Sequence, residues 1–168
     1  IIEPILGNIM IDLGGTVSTR ATDSERKVLE TNNGTRLAPI ICYESVYGSF
    51  VTGFVRNGAQ LLAVMTNDAW WGETPVHRQL LSYTKLRAIE TRLPVVRSAN
   101  TGISAIIDPR GEITQQIPYL ERSAISATIY PQNIFTFYVK YGDYIGRLSL
   151  LVSGLLLLLA FARKKTDL

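Results

Sequence analysis

The 168-residue sequence is poor in the residues that announce metal or redox chemistry: it holds one cysteine and one histidine. A single cysteine excludes an internal disulfide and a cysteine-based zinc site, and neither a metal-ligand cluster nor a cofactor motif stands elsewhere. Charge is sparse as well. Charged residues make up 18% of the chain against 46% hydrophobic ones, which excludes a disordered polymer and leans to the apolar side of a globular one. The net charge is +3, of which Arg163, Lys164, Lys165 and Asp167 supply +3 − 1 = +2. The remainder is close to neutral, so an isoelectric point of about 9.1 does not argue for a nucleic-acid partner. Internal repeats, a Gly-rich phosphate loop and a nucleophile-elbow serine are missing too. The first residue is Ile1, inside an apolar stretch and without a signal peptide before it; the expectation is a piece of a longer protein.

What is present reads as an α/β pattern. Residues 1–36 are hard to assign: Gly14-Gly15 is followed by the polar stretch Ser18 to Thr35, with Asn32-Asn33-Gly34 as a turn signal. The short apolar runs Leu37–Cys42 and Leu61–Met65 predict buried strands. Between them Val46 to Asn57 predicts a helix closed by Asn57-Gly58, and Pro75 opens a second helix reaching about Thr91. Pro94–Ser98 and Ile103–Ile107 predict further strands. The Asp108-Pro109-Arg110-Gly111 turn leads to a hairpin partner, Glu112–Ile117. Alternation predicts one more strand over Ala124–Tyr130. Strands separated by helices, then a hairpin, describe a mixed sheet with flanking helices.

At the C-terminus Leu148 to Ala162 carries no charge. Fifteen helical residues reach about 22 Å, short of the roughly 20 residues a bilayer core requires. Extending back to Tyr144 adds length, with Arg147 able to snorkel to the interface. Tyr138, Tyr141 and Tyr144 fit an aromatic belt, and Arg163-Lys164-Lys165 forms a basic stop that belongs in the cytoplasm. The predicted division is a globular part over 1–140, a juxtamembrane stretch 141–147, a transmembrane helix 148–163 and a cytoplasmic tail 164–168. A buried core helix is the alternative, although such a helix rarely lacks any polar face.

In α/β sheets chemistry gathers at the carboxyl ends of strands. Cys42-Tyr43-Glu44, Asn67 to Gly72 and Ser98 to Gly102 all fall there. Cys42 directly precedes a predicted helix start, where free N–H groups favour the thiolate, which is the nucleophilic form. The backbone N–H of Tyr43 is placed to face an oxyanion, and Glu44 is placed to orient or deprotonate a reacting group. The bland alternative for Cys42 is a small buried hydrophobe, which the pattern alone favours; against it, a lone thiol facing an oxidising compartment is a liability unless used. His77 shares a face with Leu80 and Leu81 and reads as structural. Of the adjacent Trp70 and Trp71, one is expected to line a pocket or face lipid.

Taken together, Ile40-Ile41-Cys42-Tyr43-Glu44, Thr66 to Gly72, Arg87-Ala88-Ile89-Glu90, Asn100 to Gly111 and Tyr141-Gly142-Asp143 before an apolar helix resemble the carbon–nitrogen hydrolase (nitrilase) superfamily. Within it they resemble the apolipoprotein N-acyltransferase family. Trp71 stands where a Phe is more usual, and Val76-His77 where Gln-His is expected. The resemblance implies part of an αββα sandwich beside a membrane helix, with the globular part on the periplasmic side of a bacterial inner membrane. Cys42 matches the family nucleophile, which takes an acyl chain from a membrane phospholipid as a thioester. The chain then passes to the N-terminal amine of a diacylated apolipoprotein. Tyr43 and Glu44 match functional neighbours of that nucleophile. Asn67 and Trp70 are the candidate substrate-binding residues, Trp70 matching a position near the lipid pocket. No cofactor is implied. The family's general-base Glu and its Lys precede the nucleophile in segments absent here, so the 168 residues alone are expected to be inactive. A nitrilase or amidase of small C–N substrates and a non-catalytic membrane-anchored binding domain are the alternatives.

Overall fold

The computed structural model describes residues 25–72 and 74–166; the Gly14-Gly15 reading and Asp167 of the tail lie outside them. Six strands form one mixed sheet in sequence order. They are β1 (Leu29–Glu30), β2 (Arg36–Ile41), β3 (Leu61–Thr66), β4 (Val95–Ala99), β5 (Ser104–Ile107) and β6 (Ile113–Ile117). The two crossovers β2–β3 and β3–β4 are parallel and the remaining neighbours antiparallel. Helices α1 (Gly48–Arg56) and α2 (Val76–Thr91) supply the crossovers. A short α3 (Phe137–Tyr141) and a long α4 (Tyr144–Thr166) follow.

Period-2 alternation sends Ala38, Ile40, Leu62, Val64, Val95, Ala105 and Ile107 to one face. There they meet Val51, Phe54, Val55, Leu81 and Ala88 from the helices and Val139 from α3. The opposite face is apolar too, yet among the described residues it is only partly covered: Ile41 is 60% and Met65 47% exposed. Of the expected αββα sandwich, the described residues thus form one sheet and its helix layer.

Four expectations need correction. Ala124–Tyr130 joins no strand ladder. Its half-buried Ile125 and Ile129 border the same hollows as Ile106, while its other side chains mostly face solvent. Alternation there reports leaning on the sheet, not pairing with it. Strand β1 lies in a stretch read only as polar, paired with β2 across the Thr31–Gly34 turn. Helix α1 starts at Gly48 rather than Val46, because a 3-10 turn over Cys42–Val46 comes first. Tyr138 does not line up with Tyr141 and Tyr144 as the expected belt requires: it is half-buried and turned toward Gly48. Phe137 is the ring that packs on Tyr141 at 4.5 Å and Tyr144 at 5.1 Å between ring centroids.

Helix α4 contains one window, Tyr144–Phe161, long and apolar enough to cross a membrane, and none of that window is buried. A core-helix reading of this segment does not match that exposure.

Candidate active site

Three parallel strands end side by side, and the loops that leave them build the site. Strand β2 ends at Ile41, and Cys42 turns the chain with φ +51°. A non-glycine residue in that region costs about 1–3 kcal/mol and persists where surrounding contacts enforce it. Here the contacts are local. The Glu44 carboxylate accepts from the Ile41 N–H at 2.8 Å, and the Ser45 hydroxyl donates to the Cys42 carbonyl at 2.8 Å. Cys42 is half-buried with a free thiol. The sequence placed it at an α-helix start; the structure puts the rest of the 3-10 turn and Tyr47 between it and Gly48, so the strained turn, not the helix dipole, dominates its setting. Tyr43 and Tyr47 stand half-exposed beside it, edge to face at 5.8 Å.

The β3 loop is organised by Asn67, whose side-chain oxygen accepts from the Ala69 N–H at 3.2 Å and from the Thr101 hydroxyl at 3.1 Å. That second bond ties the β3 loop to the β4 loop. Asn67 therefore holds the loop, and Trp70 is the side chain it presents, 62% exposed. The side chain of Trp71 lies outside the described residues. His77 donates from Nδ1 to the Thr74 carbonyl at 2.8 Å and stacks on Tyr119 at 4.3 Å, a structural role as expected.

Two residues that sequence reasoning missed tie the β3 and β4 loops together. Arg97 and Asp68 form an ion pair at 2.8 Å with 1% and 0% side-chain exposure. Arg97 also donates to Thr84 at 3.0 Å and to the Ile103 carbonyl at 3.1 Å; Asp68 accepts from Thr66 at 2.9 Å. Burial pulls the Arg97 guanidinium below its usual range, Asp68 opposes this, and the Cys42 sulfur lies near enough to act on the same charge. Gly102 is required beside the pair, since a Cβ there would sit 1.9 Å from Asp68 Oδ2. A signal was available: Arg97 occupies an inward position between Val95 and Val96 on one side and Ser98 on the other, and a buried guanidinium demands a partner.

The arrangement offers a strand-end thiol in a left-handed turn next to two half-exposed tyrosines, an exposed indole on the β3 loop and a fixed ion pair buried below the strand ends. A profile of the carbon-nitrogen hydrolase family matches residues 10–136. The chain belongs to that family. Within the carbon–nitrogen hydrolases it is similar to the apolipoprotein N-acyltransferase of Geobacter metallireducens, 36% identical over 136 residues, covering 81% of this chain and 26% of that one. The apolipoprotein N-acyltransferase of Rhizobium meliloti is 40% identical over 131 residues, covering 78% and 24%. The chain thus spans about a quarter of the length of these curated relatives. Two solved carbon–nitrogen hydrolase structures share the fold. An amidase from Nesterenkonia sp. matches with TM-score 0.50 at 24% identity, over 62% of this chain and 41% of that one. A carbon-nitrogen hydrolase from Helicobacter pylori G27 matches with TM-score 0.53 at 14% identity, over 61% and 43%.

Proposed function

We propose that this chain supplies the nucleophile of an apolipoprotein N-acyltransferase. The Cys42 thiolate attacks the ester carbonyl of a membrane phospholipid, the lysophospholipid leaves as its alkoxide and takes up a proton, and a thioester remains on Sγ. The α-amino group of a diacylated apolipoprotein then attacks that thioester, an amide forms as the amine gives up one proton, and the thiolate is released. The Tyr43 N–H serves the tetrahedral oxyanion. Glu44 holds the turn through the Ile41 N–H, and Trp70 with Tyr43 and Tyr47 receives acyl chain. The observation that carries this reading is the left-handed Cys42 at the end of β2, within a segment shared with N-acyltransferases. The exposed apolar window of α4 supports a lipid donor over a small soluble amide.

In this reading α4 spans the inner membrane, with residues 1–140 on the periplasmic side and the Arg163–Lys165 end in the cytoplasm. The triad Glu and Lys are supplied by segments other than these, and the 168 residues alone do not turn over. The test uses the full-length acyltransferase that carries these residues. Cys42→Ala abolishes acyl transfer, and phospholipid without acceptor leaves an acyl thioester trapped on Cys42. An undiminished rate after that substitution refutes the proposal, and ammonia release from small amides would move it to an amidase. A reporter active only in the cytoplasm, fused after the last residue, checks the orientation.

A further inference from the structure

A second buried arginine cluster lies away from the strand ends, where the start of α1, the end of α2 and the short α3 meet. Arg87 is 4% exposed. Its Nη1 donates to the Val46 carbonyl at 3.3 Å, and its Nη2 pairs with Glu90 Oε1 at 3.1 Å. Val46 is the last residue of the 3-10 turn that begins at Cys42. A Cβ added to Gly48 would lie 2.5 Å from Arg87 Nη1, 2.6 Å from the Tyr138 hydroxyl and 3.0 Å from Glu90 Oε2. Side chains from α2 and α3 therefore converge on one glycine at the start of the helix that follows the nucleophile turn.

Helix α3 is held there at two more points. The Thr136 hydroxyl donates to the Glu90 carbonyl, and Arg56 donates to the Val139 carbonyl at 2.9 Å. Only Gly142 and Asp143 separate α3 from α4. The junction is not fully satisfied: among the described residues, Arg87 Nε and Glu90 Oε2 are buried without a hydrogen-bond partner. Burial raises the Glu90 carboxyl above its usual range against the pull of Arg87, and burial with Glu90 nearby raises the Tyr138 phenol. A structure that needed only a stable helix packing would fill this space with aliphatic side chains. Incompletely paired polar groups in a buried joint call for another role.

We propose that Arg87, Glu90 and Tyr138 are positioning residues that lock the Cys42 turn to the connector leading into α4, so that the thiol is aligned when that connector is docked. Small displacements of a nucleophile cost large factors in rate. The inference rests on the acyltransferase reading, and the experiment separates the two. In the full-length enzyme, in mixed phosphatidylethanolamine–phosphatidylglycerol vesicles, the rate of thioester formation on Cys42 and the KM for phospholipid are measured together, with Cys42→Ala as control. Arg87→Met and Glu90→Ala slow thioester formation about tenfold or more, with KM within about twofold of wild type. Glu90→Gln, which keeps an acceptor for Arg87, restores at least about half the rate. Gly48→Ala, favourable to a helix by propensity, reproduces the slow phenotype by pushing into the three side chains. Tyr138→Phe, which removes one hydroxyl and preserves folding if the larger changes do not, slows the step about two- to fivefold. Wild-type rates in Gly48→Ala and Tyr138→Phe overturn the inference, as does Glu90→Gln behaving like Glu90→Ala. A Cys42→Ala enzyme that still acylates fails the acyltransferase reading instead.

Discussion

Among the described residues two arginines are buried, and they are buried differently. Arg97 and Asp68 sit under the strand ends with their carboxylate–guanidinium pair fully enclosed and hydrogen bonds to Thr84, Thr66 and the Ile103 carbonyl completing the set. Arg87 and Glu90 sit between helices, with Glu90 still 15% exposed and one polar atom on each side chain unpaired. The first pair is a finished pin: it fixes where the loops leave the sheet and tolerates no change. The second can give, because Glu90 is already biased toward its neutral form by burial. Rigidity belongs under the strand ends, and adjustability where α1, α2 and α3 meet ahead of the apolar helix.

The largest effect expected from breaking this contrast is at the pin. Asp68→Ala strands the Arg97 charge in the core and lowers stability by about 3–5 kcal/mol, read by denaturant unfolding; a loss below about 1 kcal/mol would erase the distinction. Gly102→Ala should act in the same direction, since its methyl group enters the space of Asp68 Oδ2. Arg87→Met is milder, about 1–3 kcal/mol, because Glu90 can take up a proton when its partner goes. Equal losses at Asp68 and Arg87 would show that the two clusters are alike.

The smallest effect sharpens the comparison through pH. The folded state holds the Glu90 proton more tightly than the unfolded chain does. Stability from this group is therefore full below the unfolded carboxylate value of about 4.3 and declines as pH rises toward the raised folded value. Glutamine does not titrate. The melting temperature of wild type minus that of Glu90→Gln should fall as pH rises above about 4.3, and a difference that stays level would contradict a buried, desolvated Glu90.

Much of the sheet was legible in the sequence because its signals are local. The runs at Leu37, Leu61 and Pro94 mark strands by length and flanks, and the Asp108–Gly111 turn marks the β5–β6 hairpin; each needs only neighbours along the chain. Cys42, Asn67 and Trp70 were singled out by where their strands end. What escaped depends on partners far apart in sequence. Asp68 meets Arg97 across 29 positions, and Thr136 meets Glu90 across 46. The left-handed Cys42 was invisible because the Glu44 and Ser45 contacts that enforce it could equally have served a regular helix start. Tyr138 was misassigned because spacing alone put it with Tyr141 and Tyr144, whereas the buried Val139 beside it fixes which way α3 turns.

The half-bare side of the sheet has a practical consequence. Removing α4 to obtain a water-soluble sample would leave Ile41 and Met65 still facing solvent, flanked by half-covered Pro39, Ala63, Val96 and Ile106. Apolar surface of that extent drives clumping. Residues 25–141 produced on their own should therefore precipitate on concentration unless charged residues replace Ile41 and Met65 or a detergent stays in the buffer.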